Sequence, residues 1–304
     1  MTQPRVLITG ATGFVARALV PRLIDRADVT LLLLEEFGGG KPLPSPLQAL
    51  RPRVDVVYAD LRNFQLTARA VRHARPDRVI HLAAAGVTDP FLPINTALSH
   101  NLTGTLNLLR ACFEAYGETR QLIVARTPGE HTAMNVYAAS KAAAWTFCEM
   151  YVRTAGWPIH GAMIFQAYGP GQAPNLLVPA ALRAALAGED FPMTGGEQSK
   201  DWIHVDDVAD GILALLAADL PPGITVELGT GTATPVAVVA QRLFALAGRG
   251  GRPLPGKLPG RPGEAPLQVA DAGRTASLIN WRASIALVEG LARLVNESMI
   301  DEKG

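Results

Sequence analysis

Short apolar runs alternate with stretches of helical period through the first half of the chain. Residues 6–9 read as a buried strand, a helical pattern follows to about residue 26, and residues 29–34 form a second apolar run. A Gly/Pro-rich segment opens at Gly38-Gly39-Gly40-Lys41-Pro42. Beyond it, strands are predicted at 54–58, 78–82 and 121–125, the last two each preceded by a helical stretch. Residues 96–116 and 135–155 read as two long helices. Near-continuous apolar strands separated by helices predict a parallel sheet covered on both faces.

From Tyr168 onward the texture changes to Gly/Pro turns and shorter elements, with 188–196 and 248–263 the loosest segments. The expected organisation is a larger α/β domain over 1–167 and a smaller C-terminal lobe over 168–304. Segments near 202–230 are expected to return to the main sheet, at 202–205 and at 226–229. The fold class is therefore α/β, a Rossmann-type doubly wound parallel sheet with a small C-terminal α/β lobe.

Composition narrows the class further. Of 304 residues, 48% are hydrophobic and 18% charged, enough apolar material for a sizeable core. A net charge of +1 provides no general electrostatic case for nucleic acid or an anionic membrane. No apolar run approaches the roughly 18 residues that a membrane span requires. Met1-Thr2-Gln3-Pro4-Arg5 has no charged-then-apolar leader pattern, so a cytoplasmic address is the expectation. Cys112 and Cys148 sit among apolar neighbours in helical patterns and read as buried free thiols, with no metal site expected.

The first candidate chemistry is a turn between strand and helix. Gly10-x-x-Gly13-x-x-Ala16 follows the first strand and opens the first helix. Gly10 permits a tight turn, Gly13 permits close approach of a pyrophosphate, and the small Ala16 lets helix pack on strand. Backbone N–H groups at the helix start, over Thr12, Gly13, Phe14 and Val15, then face the phosphates. Glu35 and Glu36 follow the second apolar run, at the distance where an acidic residue bonds the adenosine ribose and repels a 2′-phosphate. That favours NAD. The alternatives are that both are ordinary loop charges, or that Arg17 reaches a 2′-phosphate and the cofactor is NADP.

The second is Tyr137-Ala138-Ala139-Ser140-Lys141. Tyr137 and Lys141 are four residues apart and share a helix face. An ammonium beside a phenol favours the phenolate, so Tyr137 is expected to have a lowered pKa and to exchange a proton with a substrate hydroxyl.

With Thr9-Gly10-Ala11-Thr12-Gly13-Phe14-Val15-Ala16, Asp60-Leu61, His81-Leu82-Ala83-Ala84, Asn101-x-x-Gly104-Thr105-x-Asn107, the Tyr-x-x-x-Lys segment and Tyr168-Gly169-Pro170-Gly171, the chain resembles the extended short-chain dehydrogenase/reductases over nearly its whole length. That family includes nucleotide-sugar epimerases, dehydratases and 4-ketoreductases. The resemblance implies that Asp60 and Leu61 meet the adenine, that Leu82, Ala83, Ala84 and Asn101 line the cofactor, and that Lys141 bonds the nicotinamide ribose. It makes Tyr137 the acid/base and Thr127 the hydroxyl that orients the reacting oxygen. His81 reads as a core position at a strand end.

The C-terminal half adds matches to substrate contacts. Asn175-Leu176 resembles a diphosphate contact, and Gln166 stands where an Asn is common. Lys200-Asp201-Trp202 resembles a segment whose first residue is usually a phosphate-binding Arg. Arg261-Pro262-Gly263-Glu264 resembles one whose Arg holds the diphosphate and whose acid takes the ribose. His204 and Asp207 are expected to support a strand end and to cap a helix starting near residue 208. Two departures stand out. Only ten positions separate Thr127 from Tyr137, and Pro128-Gly129 replace the acidic pair that dehydratases carry after the Thr, leaving Glu130 as a substitute. The expected activity is Tyr-assisted hydride transfer on a nucleotide-linked sugar, foremost as an epimerase. The alternatives are a 4-ketoreductase, a reductase of a non-nucleotide carbonyl, and a silent dinucleotide-binding protein. A homodimer through the two long helices is also expected, with Leu106, Leu109, Trp145 and Tyr151 as contacts.

The position of Glu35 yields a test of cofactor choice. NAD(H) should bind more tightly than NADP(H), and Glu35→Ala should narrow the gap by roughly fivefold, the scale of one close charge pair in water. Titration calorimetry with both cofactors measures this, and tighter NADPH binding by the parent protein would reverse the assignment.

Overall fold

The computed structural model describes residues 3–89, 91–260 and 263–301. They divide into two compact units. One holds the described residues up to Met163 together with Ile212–Val226, and the other holds Ile164–Gly211 with the described residues from Glu227 onward.

The first unit begins with β1 (Arg5–Thr9), α1 (Phe14–Leu23) and β2 (Asp28–Leu33), then a short α2 (Leu47–Leu50) and β3 (Asp55–Tyr58). It continues through α3 (Phe64–Ala74), β4 (Arg78–His81), β5 (Gln121–Arg126), α6 (Val136–Ala155) and β6 (Ile159–Ile164). Between β4 and β5 a single helical run covers 94–116. It comprises α4 (Ile94–Ala97), α5 (Gly104–Arg110) and two wider π-type stretches, Leu98–Thr103 and Ala111–Tyr116. The seven-stranded sheet has the order β10-β6-β5-β4-β1-β2-β3, where β10 is Thr225–Leu228. The β1 pairings with β2 and β4 are parallel, as are those of β2 with β3, β4 with β5 and β5 with β6. The order reverses next to β1, which is where a doubly wound sheet opens a crevice at its carboxyl end.

Local chemistry explains the boundaries. Asn63 caps α3 by accepting from Leu66 N, and Asn135 caps α6 by accepting from Ala138 N. The expected helix at 135–155 thus begins one residue later, and it ends at Gly156 in a left-handed conformation, φ 66°. Leu7, Val79, Leu108, Leu109, Leu122, Trp145 and Ile159 form one buried cluster with both cysteines. Each such large side chain contributes roughly 1.5–3 kcal/mol. Cys112 and Cys148 are free and buried, and burial pushes both thiols up to about 12, which keeps them inert.

The cluster corrects two of the four expected dimer contacts. Leu109 and Trp145 are buried within their own subunit. Leu106 and Tyr151 are only partly buried against the cluster, and Tyr151 stacks on Trp157 with centroids 4.0 Å apart.

The second unit holds β7 (Gln166–Tyr168), α7 (Leu177–Ala187), β8 (Phe191–Pro192), β9 (Ser199–His204) and α8 (Val205–Ala217), the last crossing into the first unit. After β10 follow β11 (Ala233–Pro235), α9 (Val236–Ala247), β12 (Pro253–Leu254), β13 (Leu267–Gln268), α10 (Ala272–Ile279) and α11 (Leu287–Asp301). β9 pairs with β7, β11 and β13, while β8 pairs with β12. The segment 202–205, expected to rejoin the main sheet, is therefore part of this smaller sheet. The segment at 226–229 does join the main sheet, through β10. α8 begins at Val205, earlier than the expected 208. Asp207 does not cap it. Its carboxylate accepts from Ser284 N, Ser284 Oγ and Ile285 N at 2.9–3.0 Å, while His204 Nδ1 accepts from Asp206 N at 3.2 Å.

Asp201 is the main polar strut of this unit. It is fully buried, and its carboxylate accepts from Thr230 N, Thr230 Oγ1, Gly231 N and Ala270 N at 2.7–3.2 Å. Asp201→Ala would strand three backbone donors, each costing about 1–3 kcal/mol when buried. The variant should lose on the order of 3 kcal/mol or more in urea unfolding. A loss below 1 kcal/mol would show that water or local rearrangement satisfies these donors.

Candidate active site

Four segments of the first unit converge at the carboxyl end of its sheet. A buried chain of hydrogen bonds joins them, starting at Thr9, the last residue of β1. Thr9 Oγ1 meets His81 Nδ1 at 2.7 Å, and His81 Nε2 meets Thr105 Oγ1 at 2.9 Å. Thr105 donates its own proton to the Asn101 carbonyl at 2.6 Å, so its oxygen is left to accept. That assigns the proton of neutral His81 to Nε2, with Thr9 donating to Nδ1. Burial, with the Lys141 charge adding, lowers the His81 pKa to about 3. His81 is thus the core residue that its position at the strand end suggested.

Asn101 carries the chain onward. Its Oδ1 accepts from Ala85 N at 2.7 Å, and its Nδ2 donates to Ala85 O and Ser140 Oγ, both at 2.9 Å. Ser140 in turn donates to the Tyr137 carbonyl at 2.7 Å. The Asn101 amide protons are therefore spent on holding the 82–86 loop and the start of α6 together. Asn101 sits in the first π-type stretch, whose wider turn is a frequent feature of functional sites. Gly86, with φ 99°, lies so close that a Cβ there would stand 3.1 Å from Tyr137 Cβ. Neither Gly86 nor Ser140 was assigned a role from sequence.

The glycine turn has the geometry of an anion cradle. Gly10 has φ 64°, and a Cβ on it would fall 2.5 Å from Ala83 N, so the turn and the 82–84 loop fit together only without a side chain. Gly13 caps α1 with extended backbone, no side chain caps the first turn, and no acidic residue lies in it. A dinucleotide pyrophosphate fits this helix start, over Thr12, Gly13, Phe14 and Val15, on both charge and space. Glu35 is exposed in the short turn after β2, and its neighbour Glu36 pairs with Lys41 at 2.7 Å. Asp60 follows β3 with its carboxylate in the fork of Arg62, at 3.0, 2.9 and 2.5 Å, which holds it below the usual carboxylate range. Leu61 is buried, and its carbonyl accepts from Asn107 Nδ2.

Tyr137 and Lys141 lie in the first two turns of α6, Tyr137 half-buried and Lys141 buried. The expected lowering of the tyrosine's pKa is not what this environment produces. Burial pushes the Tyr137 phenol up, and the nearby Glu130 carboxylate adds to the rise. Burial also lowers Lys141, which weakens the ammonium that was to favour the phenolate. Thr127, half-buried just past β5, caps a short turn (Pro128–His131), its hydroxyl accepting from Glu130 N. The Glu130 carboxylate reaches back to Thr127 N at 2.9 Å and pairs with Arg126 at 2.8 Å. Thr127-x-x-Glu130 is a capping box, a signal legible in the sequence.

The second unit brings Lys200 and Glu264 together. Lys200 Nζ lies 3.1 Å from Glu264 Oε1 and 3.1 Å from Gln268 Oε1, while Gln198 donates to Glu264 Oε2 at 3.2 Å. Beside them is a cavity of about 290 Å³ lined by Thr194, Glu197, Gln198, Gly260, Glu264 and Pro266. Arg261 lies outside the described residues. Gln166 opens β7 opposite Trp202 of β9, and Asn175 and Leu176 immediately precede α7, whose first turn has no acidic residue.

Fold and glycine turn together define a dinucleotide-binding α/β enzyme of the extended short-chain dehydrogenase/reductase type. More narrowly, the chain belongs to the NAD dependent epimerase/dehydratase family, whose profile matches residues 6–229, and its cofactor is NAD. It is 26% identical to a dTDP-glucose 4,6-dehydratase of Xanthomonas campestris pv. campestris, over 95% of this chain and 92% of that protein. Among solved structures it resembles a Thermus thermophilus UDP-glucose 4-epimerase in complex with NAD, with 26% identity, TM-score 0.80 and coverage of 96% and 98% of the two chains. A UDP-glucose 4-epimerase of Thermotoga maritima with UDP-glucose shares the fold, with 22% identity, TM-score 0.83 and coverage of 98% and 99%.

The histidine network makes stability pH-dependent. Because the folded-state pKa of His81 lies near 3, below the ordinary 6.5, the unfolded chain binds that proton first. The contribution is intact above pH about 6.5 and is lost as pH falls towards 3, on the order of 2–3 kcal/mol by pH 4.5. His81→Gln should be less stable than the parent at pH 7.5, with a deficit that shrinks by pH 4.5 in urea titrations. A deficit independent of pH would mean that His81 does not carry this dependence.

Proposed function

We propose that the protein is an NAD-dependent epimerase of a nucleotide-linked sugar. The observation that carries this reading against a 4,6-dehydratase is the state of the segment after β5. Pro128 and Gly129 replace the acidic pair, and the one carboxylate left, Glu130, is committed to Thr127 N and Arg126. No carboxylate on this segment is then left to abstract a ring-carbon proton. Relatives named as dehydratases and as epimerases both support a nucleoside diphosphate sugar as the substrate class.

In this reading Gly10, Thr12, Gly13, Phe14 and Val15 hold the NAD pyrophosphate, Glu35 the adenosine ribose, and Asp60 and Leu61 the adenine. Leu82, Ala83 and Ala84 line the nicotinamide side, with Asn101 fixing their loop through Ala85. When bound, NAD supplies the hydride acceptor and a cationic ring whose field offsets the upward push on the Tyr137 phenol. Tyr137 takes the proton of the reacting sugar hydroxyl and later returns it. Thr127 donates to the same oxygen, its hydroxyl oxygen being fixed by Glu130 N. Lys141 bonds the nicotinamide ribose and provides positive charge beside the phenol. Gln166, Asn175 and Leu176 contact the sugar diphosphate, while Lys200, Arg261 and Glu264 take its phosphates and ribose. A homodimer through α6 and the helical run at 94–116 belongs to the same reading. Exposed Phe147 and partly buried Leu106 and Tyr151 are its apolar contacts.

Incubating the protein and NAD with UDP-, dTDP-, GDP- and CDP-hexoses, followed by proton NMR, tests the proposal. A sugar epimer should form, and Tyr137→Phe should lower turnover by roughly 10² or more while leaving NAD affinity within about twofold. A 4-keto-6-deoxy product would overturn the epimerase reading, and full activity of Tyr137→Phe would remove the tyrosine from the mechanism.

A further inference from the structure

The Arg126–Glu130 pair is more elaborate than a cap requires. Glu130 Oε2 accepts from Arg126 Nε at 2.9 Å and from Nη2 at 2.8 Å, while Oε1 accepts from Thr127 N at 2.9 Å. Arg126 Nη1 donates to Thr225 Oγ1 at 3.0 Å, and its guanidinium carbon stands 4.2 Å from the centre of the Trp145 ring. Side-chain exposures of 12% and 2% put the pair out of bulk water, where charges act over longer range than at the surface.

Trp145 lies one turn beyond Lys141 on α6, so the guanidinium is packed on the helix that carries the Tyr137-x-x-x-Lys141 motif. The turn at 128–131 abuts the start of the same helix, since a Cβ on Gly129 would stand 3.2 Å from Ala138 Cβ and 3.3 Å from Met134 Sδ. Thr127 is thus bonded to the ion pair directly, and the helix that carries Tyr137 and Lys141 packs beside it.

We propose that Arg126 and Glu130 are a positioning pair for this site, fixing Thr127 against α6 and placing two opposed charges beside the helix that carries Lys141. The proposal deepens the catalytic reading given above and rests on it for its role in turnover. The two charges act on Lys141 in opposite senses. Glu130 favours the ammonium and Arg126 disfavours it, on top of the dominant effect of burial. The other groups facing Lys141 are Cys148 on its own helix, a thiol that burial keeps protonated, and His81 on β4, which stays neutral. Glu130 also favours the protonated phenol of Tyr137. A bare carboxylate in this position would bias both groups towards their protonated forms, and at Lys141 the guanidinium limits that bias.

The test needs no substrate. The chain has five lysines, Lys41, Lys141, Lys200, Lys257 and Lys303, so protein labelled with [ε-13C]lysine yields five side-chain resonances, with Lys141 assigned from Lys141→Met. Glu130→Gln should move the Lys141 midpoint down, and Arg126→Gln should move it up. Arg126→Lys, which keeps the charge but not the fork, should return it towards the parent value. A purely structural pair would move both midpoints the same way or leave them unchanged, and either result overturns the proposal. Should Glu130→Gln fail to fold, the contrast between Arg126→Gln and Arg126→Lys decides by itself, with equal midpoints counting against the proposal. Because no sugar enters the measurement, its failure leaves the epimerase reading standing, and an epimerase assay that fails leaves this result intact.

Discussion

The site depends on one buried polar chain, running from Thr9 through His81, Thr105 and Asn101 to Ala85 and Ser140. Its members come from β1, β4, the loop after β4, the helical run at 94–116 and α6, so the chain ties the sheet's carboxyl end to the helix that carries Tyr137. A half-satisfied network in such a core would cost more than apolar packing. Here every hydrogen bond finds a partner provided that His81 stays neutral with its proton on Nε2. The constraint reaches outward. The Asn101 amide fixes the 82–86 loop, the loop closes over Gly10, and the Gly10 turn sets the start of α1.

Carboxylates divide the labour in this protein. Asp201 and Asp207 are buried acceptors whose oxygens are consumed by backbone and hydroxyl donors of neighbouring loops, and they hold the second unit together. Glu130 has the same character in the first unit, closing a capping box and neutralising Arg126. Glu264 differs, lying beside a cavity with Lys200 and Gln198 around it. A carboxylate committed to fixed donors is a poor base; Glu264 is set apart by its place at a cavity, although Lys200 and Gln198 already engage both of its oxygens.

The tyrosine shows where proximity and protonation part company. Spacing of four residues on a helix puts a lysine near a phenol, but the sign of the shift depends on what else surrounds them. At Tyr137 desolvation pushes the phenol up, and a neighbouring carboxylate adds to the rise. Lys141 is itself lowered by burial, so the four-residue spacing alone does not fix the sign of either shift.

The apolar runs and helical periods were enough to determine the alternation of strands and helices from β1 to β5, because each buried parallel strand is an apolar stretch in the chain, whereas β6 was not among the predicted strands. The glycine turn was equally legible, since Gly10 and Gly13 answer to local backbone demands, and so was the Tyr137–Lys141 spacing. Contacts between distant segments were decided only in three dimensions. Whether 202–205 pairs with the main sheet or the small one depends on which edge offers partners, and β9 found them in β7, β11 and β13. Asp207 looked like a helix cap until Ser284 and Ile285, more than seventy residues away, supplied better donors. Leu109 and Trp145 looked available to a partner until the packing of α3, the helical run at 94–116 and α6 enclosed them. Residue identity sets what a side chain can do. Burial and long-range partners, which no local window contains, set what it does.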